Sequence, residues 1–179
     1  HAGGDTAWNL QGSLDYGLSL PLAGSSLWLR NAAGWIDGDR RLANASFYFG
    51  GFGNNAVDQG EARRYRQRDR LPGFEIDEIS GQSFARTMLE WNLTPVVFES
   101  RGTPAFHLAW LRPALFATAL WTDPNRASRR TAYGNIGTQL DLRFSVLHWY
   151  EMTLSVGYAA GFRDRNRARG EWMISLKVM

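Results

Sequence analysis

Trp8-Asn9-Leu10-Gln11-Gly12-Ser13-Leu14-Asp15-Tyr16-Gly17-Leu18-Ser19-Leu20-Pro21-Leu22 is the stretch whose reading decides the fold. Its even positions are Trp, Leu, Gly, Leu, Tyr, Leu, Leu and Leu; its odd positions are Asn, Gln, Ser, Asp, Gly, Ser and Pro. Only an extended strand sends alternate side chains to opposite faces, so this period of two defines one apolar and one polar face. The same alternation returns towards the C-terminus. Ile136, Thr138, Leu140, Leu142, Phe144 and Val146 alternate with Asn135, Gly137, Gln139, Asp141, Arg143 and Ser145. Met152, Leu154, Val156, Tyr158, Ala160 and Phe162 form a second such row, and Trp172, Ile174, Leu176 and Val178 a third. Helical periodicity is absent.

Turn signals separate these runs at Ala23-Gly24-Ser25-Ser26, Asp37-Gly38-Asp39, Asp123-Pro124-Asn125 and Asp164-Arg165-Asn166. They predict about eight strands, over roughly 7–20, 26–36, 44–52, 83–93, 104–121, 132–147, 150–162 and 168–178. No linker interrupts the rhythm, so residues 1–179 are expected to form a single region with one long loop at about 53–82.

Composition narrows the class. Hydrophobic residues make up 44% and aromatics 13% of the 179 residues, yet the mean hydropathy is −0.34. No apolar run approaches the ~20 residues of a membrane-spanning helix, whereas a barrel strand needs only about 9–11 with alternate positions apolar. The aromatic content and the pattern argue against a disordered chain. There is no cysteine, which removes disulfides and thiolate metal sites. The net charge of +3 rests on arginine, since Lys177 is the only lysine. These arginines fall in predicted turns and one loop, so nucleic acid is not an expected partner. The chain starts at His1 with no charged-then-apolar leader, as expected of a processed chain or a piece of a longer protein.

Alternation alone does not say which face meets water. The strands are longer than the ~5–6 residues usual in globular sheets. The polar rows are rich in Gly, Ser, Asn and Gln rather than Lys and Glu. Trp8, Trp28, Trp35, Trp121, Trp149 and Trp172 fall near predicted strand ends, where the aromatic girdles of membrane barrels sit. These features point to an all-β, antiparallel transmembrane β-barrel in a bacterial outer membrane, with the lipid bilayer as its partner. A soluble β-barrel or sandwich binding a small apolar ligand is the alternative that turns the apolar face inward.

The segment Gly53 to Gln82 holds Arg63-Arg64-Tyr65-Arg66-Gln67-Arg68-Asp69-Arg70, then Leu71-Pro72-Gly73-Phe74, then Glu75-Ile76-Asp77-Glu78. Its surroundings resemble the bacterial surface-antigen superfamily, the BamA-like outer-membrane assembly and secretion barrels. Phe47-Tyr48-Phe49-Gly50-Gly51 is similar to that family's strand ending in a Gly-Gly pair. Arg70 with Leu71, Pro72, Gly73 and Phe74 falls where the family has its Val/Leu-Arg-Gly-Phe/Tyr loop motif. Glu90 followed by Pro95 resembles the family's glutamate-to-proline stretch, with five strands following the loop and three preceding it. The resemblance implies the C-terminal half of a sixteen-stranded barrel whose N-terminal half lies elsewhere. It implies a role in outer-membrane protein insertion or translocation, with unfolded outer-membrane proteins as partners, or in anchoring a periplasmic domain. Two positions depart from the family. Pro72 stands where its loop has arginine, and the chain ends in Met179 rather than an aromatic residue. A self-contained eight-stranded barrel serving as an anchor or adhesion module is the second membrane reading.

Strand alternation places Arg86 and Glu90 on the face opposite Leu89, Trp91 and Leu93. A charge facing lipid costs ~2–4 kcal/mol at the midplane, so these two should face the lumen. A loop folded inward is expected to pair its arginines with Glu90 and Asp141, and Glu75, Asp77 and Glu78 with Arg86, Arg112 or Arg143. No enzyme is expected. Gly-x-Ser-x-Gly is missing, and Gly50-Gly51 lacks a phosphate-loop context. His1, His107 and His148 share no ligand spacing, so no metal or cofactor is expected.

Overall fold

The structure is a computed structural model that describes residues 8–38, 45–53, 62–99, 102–103, 105–147, 149–164 and 166–178, the side chains of 166–168 excepted. His1, His148 and the 54–61 part of the long loop lie outside the described residues. The alternating stretch that opens the chain is β1 (Trp8–Ser19), and it pairs along its whole length with β2 (Ser26–Asp37). After β2 the chain turns onto one face of the sheet and returns as β5 (Ser83–Asn92), which pairs with β2 from Ser26↔Asn92 to Trp35↔Ser83. Then follow β8 (Phe106–Thr122), β9 (Thr131–Val146), β10 (Tyr150–Arg163) and β11 (Asn166–Val178). Every neighbour in the order β1-β2-β5-β8-β9-β10-β11 is antiparallel. Two short strands, β6 (Val96–Val97) and β7 (Gly102–Thr103), pair with the first half of β8, where β5 no longer reaches.

The predicted third wall strand at 44–52 is not one. Only Phe47–Phe49 is extended (β3), and it pairs with β4 (Ile79–Gly81) in a separate two-stranded ladder. The aromatic alternation that suggested a wall strand instead aims Phe47 and Phe49 at Phe84 of the wall, with ring centroids 4.7 and 5.0 Å away. Among the described residues the wall therefore has seven long strands rather than eight, two of them before the loop rather than three. The connection between β2 and β5 runs from Gly38 to Gln82, longer than the predicted loop. Gly51 and Gly53, at φ +68° and +99°, turn the chain out of β3 in a conformation that a side chain disfavours.

The two faces differ sharply. Outward rows run through Leu10, Leu14, Trp35, Leu89, Leu115, Ile136 and Ile174, all exposed. Inward rows carry the charges of the strand interiors, namely Asp15, Arg30, Arg86, Glu90, Arg112, Asp141, Arg143, Glu151, Glu171 and Lys177. Asp37, at the last position of β2, is the one described charged side chain on the outward face of the wall. Trp8, Trp35, Trp121 and Trp172 are on the outward face and exposed, and Trp149 stands 85% exposed at the β9–β10 turn. Trp28 differs from expectation. It faces inward opposite Glu90, and its ring covers Gly17.

The apolar core lies inside, between the wall and the loop. One cluster joins Phe49, Leu71, Phe74 and Ile79 of the loop to Ala32, Phe84 and Leu120 of the wall. A second joins Phe52 and Tyr65 of the loop to Met88, Phe116, Ala159 and Met173. The described parts of this connection, residues 45–53 and 62–82, thus form a plug seated on the inner face. The wall does not close within the described residues, because β1 and β11 pair with no strand along their outer edges.

Candidate functional site: a plug tethered to the inner wall

The arginine run of the plug forms a short 3-10 turn at Arg64–Arg66, which sends Tyr65 inward and lets Arg63 and Arg66 reach across the wall. Glu90, on β5 and fully buried, is the hub. Arg66 grips it as a fork, with Nη2 donating to Oε1 at 2.6 Å and Nε to Oε2 at 3.0 Å. Tyr65 donates its hydroxyl to Oε1 at 3.1 Å, Arg63 donates Nη1 to Oε1 at 3.2 Å, and Arg30 of β2 donates Nε to Oε2 at 3.3 Å. Arg30 also pairs with Asp15 of β1. Four donors on one carboxylate satisfy a group that would otherwise be costly to bury.

Arg63 bridges two strands of the wall. Besides Glu90 it donates Nε to Asp141 Oδ2 of β9 at 2.7 Å and bonds the Asn92 side chain. The other oxygen of Asp141 accepts from Gln139 Nε2 at 2.6 Å and Ser155 Oγ at 2.7 Å. The tether therefore runs from Asp15 on β1 through Arg30, Glu90, Arg66 and Arg63 to Asp141 on β9. Tyr65 also stacks on Phe116, at 4.1 Å between centroids and 12° between planes. Burial, reinforced by the neighbouring Glu90 charge, holds its phenol proton well above the ordinary tyrosine range.

The Arg70–Phe74 motif seats the other half of the plug. Leu71 and Pro72 are fully buried, and Pro72 O accepts from Asn135 Nδ2 at 2.8 Å. Gly73, at φ +95°, lies against the backbone of β10. A Cβ there would meet Gly161 N at 2.4 Å. Phe74 meets Tyr133 edge to face at 5.7 Å. Arg70 is half-exposed beside Asp69 and contributes its carbonyl, which accepts from Arg86 Nη2 at 3.3 Å. On the far edge, Glu171 of β11 clamps two plug amides. Phe52 N donates to Oε1 at 3.0 Å and Gly73 N to Oε2 at 2.8 Å.

Of the charged candidates read from the sequence, the structure brings Arg86, Glu90 and Asp141 to the plug. Among the described residues the expected pairing of Glu75, Asp77 and Glu78 with Arg86, Arg112 or Arg143 is not found; the one loop acid that pairs with the wall is Glu75, with Arg169 of β11. Arg86 is buried and donates to the Tyr65 and Arg70 carbonyls, so backbone oxygens take the place of carboxylates. Arg112 faces inward over the Trp110 ring at 4.9 Å. Arg143 pairs with Glu151 near the β9–β10 turn, and Glu75 pairs with Arg169. Asp77 and Glu78 are exposed. Asn92, Ser155 and Glu171 went unforeseen as contacts. Their one signal is strand parity, which puts each on the inward row with a charged neighbour. Among the described residues no group of three or more His, Asp or Glu side chains is arranged to hold a metal ion.

No family model matches the chain, and no curated protein or solved structure matches it either.

Proposed function

We propose that this chain is part of the wall of a bacterial outer-membrane barrel of the BamA-like kind, with the described residues 45–53 and 62–82 folded into the lumen as a tethered plug. In this reading the parent protein inserts or translocates outer-membrane proteins, or anchors a periplasmic domain. The observation that carries it is the distribution of charge. Charged side chains of the strand interiors share the inward face with the plug, and the exposed face is mostly apolar, with Asp37 at a strand end its one described charge. A soluble barrel needs the reverse, with its apolar rows inside and polar rows in water. Here the plug occupies the concave face where a small apolar ligand would bind.

Strand direction supports a piece of a larger barrel over a self-contained one. Seven antiparallel strands leave β1 and β11 running the same way. Bacterial single-chain barrels hold an even number of antiparallel strands, so closure needs an odd number of further strands between these edges. A sixteen-stranded barrel supplies nine. The plug demands the same, since a barrel of about eight strands is filled by its own side chains.

Because the chain has no cysteine, single-cysteine replacements test the face assignment directly. In the parent protein in vesicles, cysteines at Leu140, Leu142 and Leu154 should resist a water-soluble maleimide and accept a lipid-borne label. Equal, rapid reaction of these outward positions with the water-soluble reagent would sink the membrane reading.

A further inference from the structure

A cavity of about 440 Å³ lies between the β3–β4 ladder of the plug and the end of β8 and start of β9. Tyr48 and Ser80, cross-strand partners on the exposed face of that ladder, line it together with Ser46. Thr122, Thr131 and Tyr133 add to the lining, and Arg129 of the β8–β9 loop completes it. This volume falls within the range of small-ligand sites.

The lining is unusual for a gap between packed elements. Six residues bearing hydroxyls line it, groups that by type both donate and accept, and the Thr131 hydroxyl donates to the Arg129 carbonyl at 3.4 Å. The one carboxylate, Asp123, is committed to the fold, since its Oδ1 accepts from the amides of Gln82 at 2.9 Å and Ser83 at 3.2 Å. Arg129 makes no ion pair with any described residue. The same loop adds Arg126, whose side-chain contact is the neutral Gln82 oxygen, and Arg130. Arg163 lies over the Tyr133 ring at 5.8 Å. The site thus offers a ring of hydroxyls, two tyrosine rings and an excess of guanidinium charge at one rim.

We propose that this cavity binds a phosphorylated sugar, with its hydroxyls among the Ser, Thr and Tyr groups and its phosphate on Arg129. Guanidinium forks suit phosphate oxygens, and vicinal sugar hydroxyls match side chains that both donate and accept. An apolar ligand finds too little apolar wall, and a cation finds no free carboxylate. The chemistry is shared by a free sugar phosphate and by the phosphorylated sugar headgroup of a glycolipid. The site stands on its own geometry, independently of any role in protein transport.

The test is titration of the full-length parent protein in detergent micelles. One arm uses glucosamine 1-phosphate, the other micelles doped with diphosphorylated lipid A; glucosamine and inorganic phosphate are the reference probes. Binding of at least one phosphorylated sugar is expected, at least tenfold tighter than either reference. Arg129→Gln should weaken it at least tenfold and Thr131→Val several-fold. Lys177→Gln, which removes the same charge far from the cavity, should leave it unchanged. Binding in the first arm identifies a soluble ligand, and binding in the second alone a glycolipid headgroup. The proposal is overturned if neither probe binds, if inorganic phosphate binds as well as the sugar phosphate, or if Lys177→Gln weakens binding as much as Arg129→Gln. Arg129 is exposed, so loss of binding in its variant does not arise from unfolding.

Discussion

Replacing Glu90 with glutamine should release the plug without dismantling the wall. The side chain keeps its shape, but an amide now presents donors to the donors of Arg30, Arg63, Arg66 and Tyr65. The cost is not shared equally. Arg63 keeps Asp141 at 2.7 Å, and Arg30 keeps Asp15. The plug contacts that depend on the Glu90 carboxylate are then the Arg66 fork and the Tyr65 hydroxyl, while Arg66 keeps its bond to Asn92 Oδ1 at 3.5 Å. Breaking a buried ion pair costs about 3–5 kcal/mol. Arg66 retains 25% side-chain exposure, so water recovers part of its charge and the lower figure, ~3 kcal/mol, applies. Expressed as an opening equilibrium, that is roughly a hundredfold. Trypsin reads it at Arg63, which is buried while the plug is seated, whereas Arg68 of the same run is exposed. Cleavage after Arg63 should accelerate about a hundredfold in Glu90→Gln, with opening fast relative to cutting. Asp15→Asn, which removes the more exposed end of the same network, should cost under ~1 kcal/mol and change the rate by less than about fivefold. Adding Arg66→Gln to Glu90→Gln should cost less than the sum of the two single changes. A cleavage rate in Glu90→Gln within about threefold of the native protein would refute the hub.

Three further perturbations probe the seat of the plug. Gly73→Ala places a methyl 2.4 Å from Gly161 N at a positive φ, and overpacking alone should cost about 1–3 kcal/mol in urea unfolding; Gly12→Ala, with nothing within 4 Å, should stay within ~0.5 kcal/mol of the native protein. Glu171→Gln removes the carboxylate that accepts the Phe52 and Gly73 amides, so hydrogen exchange at those two amides should quicken by tenfold or more while the Arg63 to Glu90 contacts persist. Tyr65 has its pKa raised in the folded state by burial and by Glu90, so the neutral phenol contributes stability below the unfolded value of about 10 that is lost as pH rises above it. Tyr65→Phe keeps the stack on Phe116 and should remove that loss, so unfolding profiles of the native protein and the Tyr65→Phe variant that fall in parallel above pH ~10 would contradict the assignment.

The wall was legible because it obeys a period of two over long runs. β1, β9, β10 and β11 each read as alternating rows, and the parity that separates Leu140 from Asp141 in the sequence separates outside from inside in the fold. Parity also placed Glu90 and Asp141 on the inward face. It failed where an alternating segment lies on the wall instead of within it. Phe47-Tyr48-Phe49 has the same local pattern as a wall strand, and only its contacts with Phe84 distinguish the two. Trp28 failed for a related reason. Its position near a strand end suggested a girdle, but its even number on β2 turns it inward over Gly17. The loop motif was legible in outline only. Pro72 stands where the resembling family has arginine, and the interaction with wall acids is made by Arg63 and Arg66. Nothing in the run of five arginines singles out these two, because the choice depends on the 3-10 turn that brings Tyr65 between them.

The plug and the wall depend on each other for a reason visible in the topology. β2 and β5 are adjacent antiparallel strands, which a two-residue turn can join; the chain instead spends residues 38–82 on that connection. Lengthening a loop is cheap, about 0.6 kcal/mol for each doubling. Ordering it is not, at about 1–2 kcal/mol per residue. Phe49, Phe52, Tyr65, Leu71, Phe74 and Ile79 supply part of what opposes that cost by burying their side chains on the inner face. Without the plug, the inner face of the sheet would expose apolar surface at Met88, Phe116 and Leu120 as well as the Glu90 carboxylate. The tether adds direction to this mutual dependence. Through Arg30 and Asp15 the plug reaches β1, and through Glu171 it reaches β11, the two strands whose outer edges are open. A plug that is seated therefore holds both edge strands to one internal body, built among the described residues from 45–53 and 62–82.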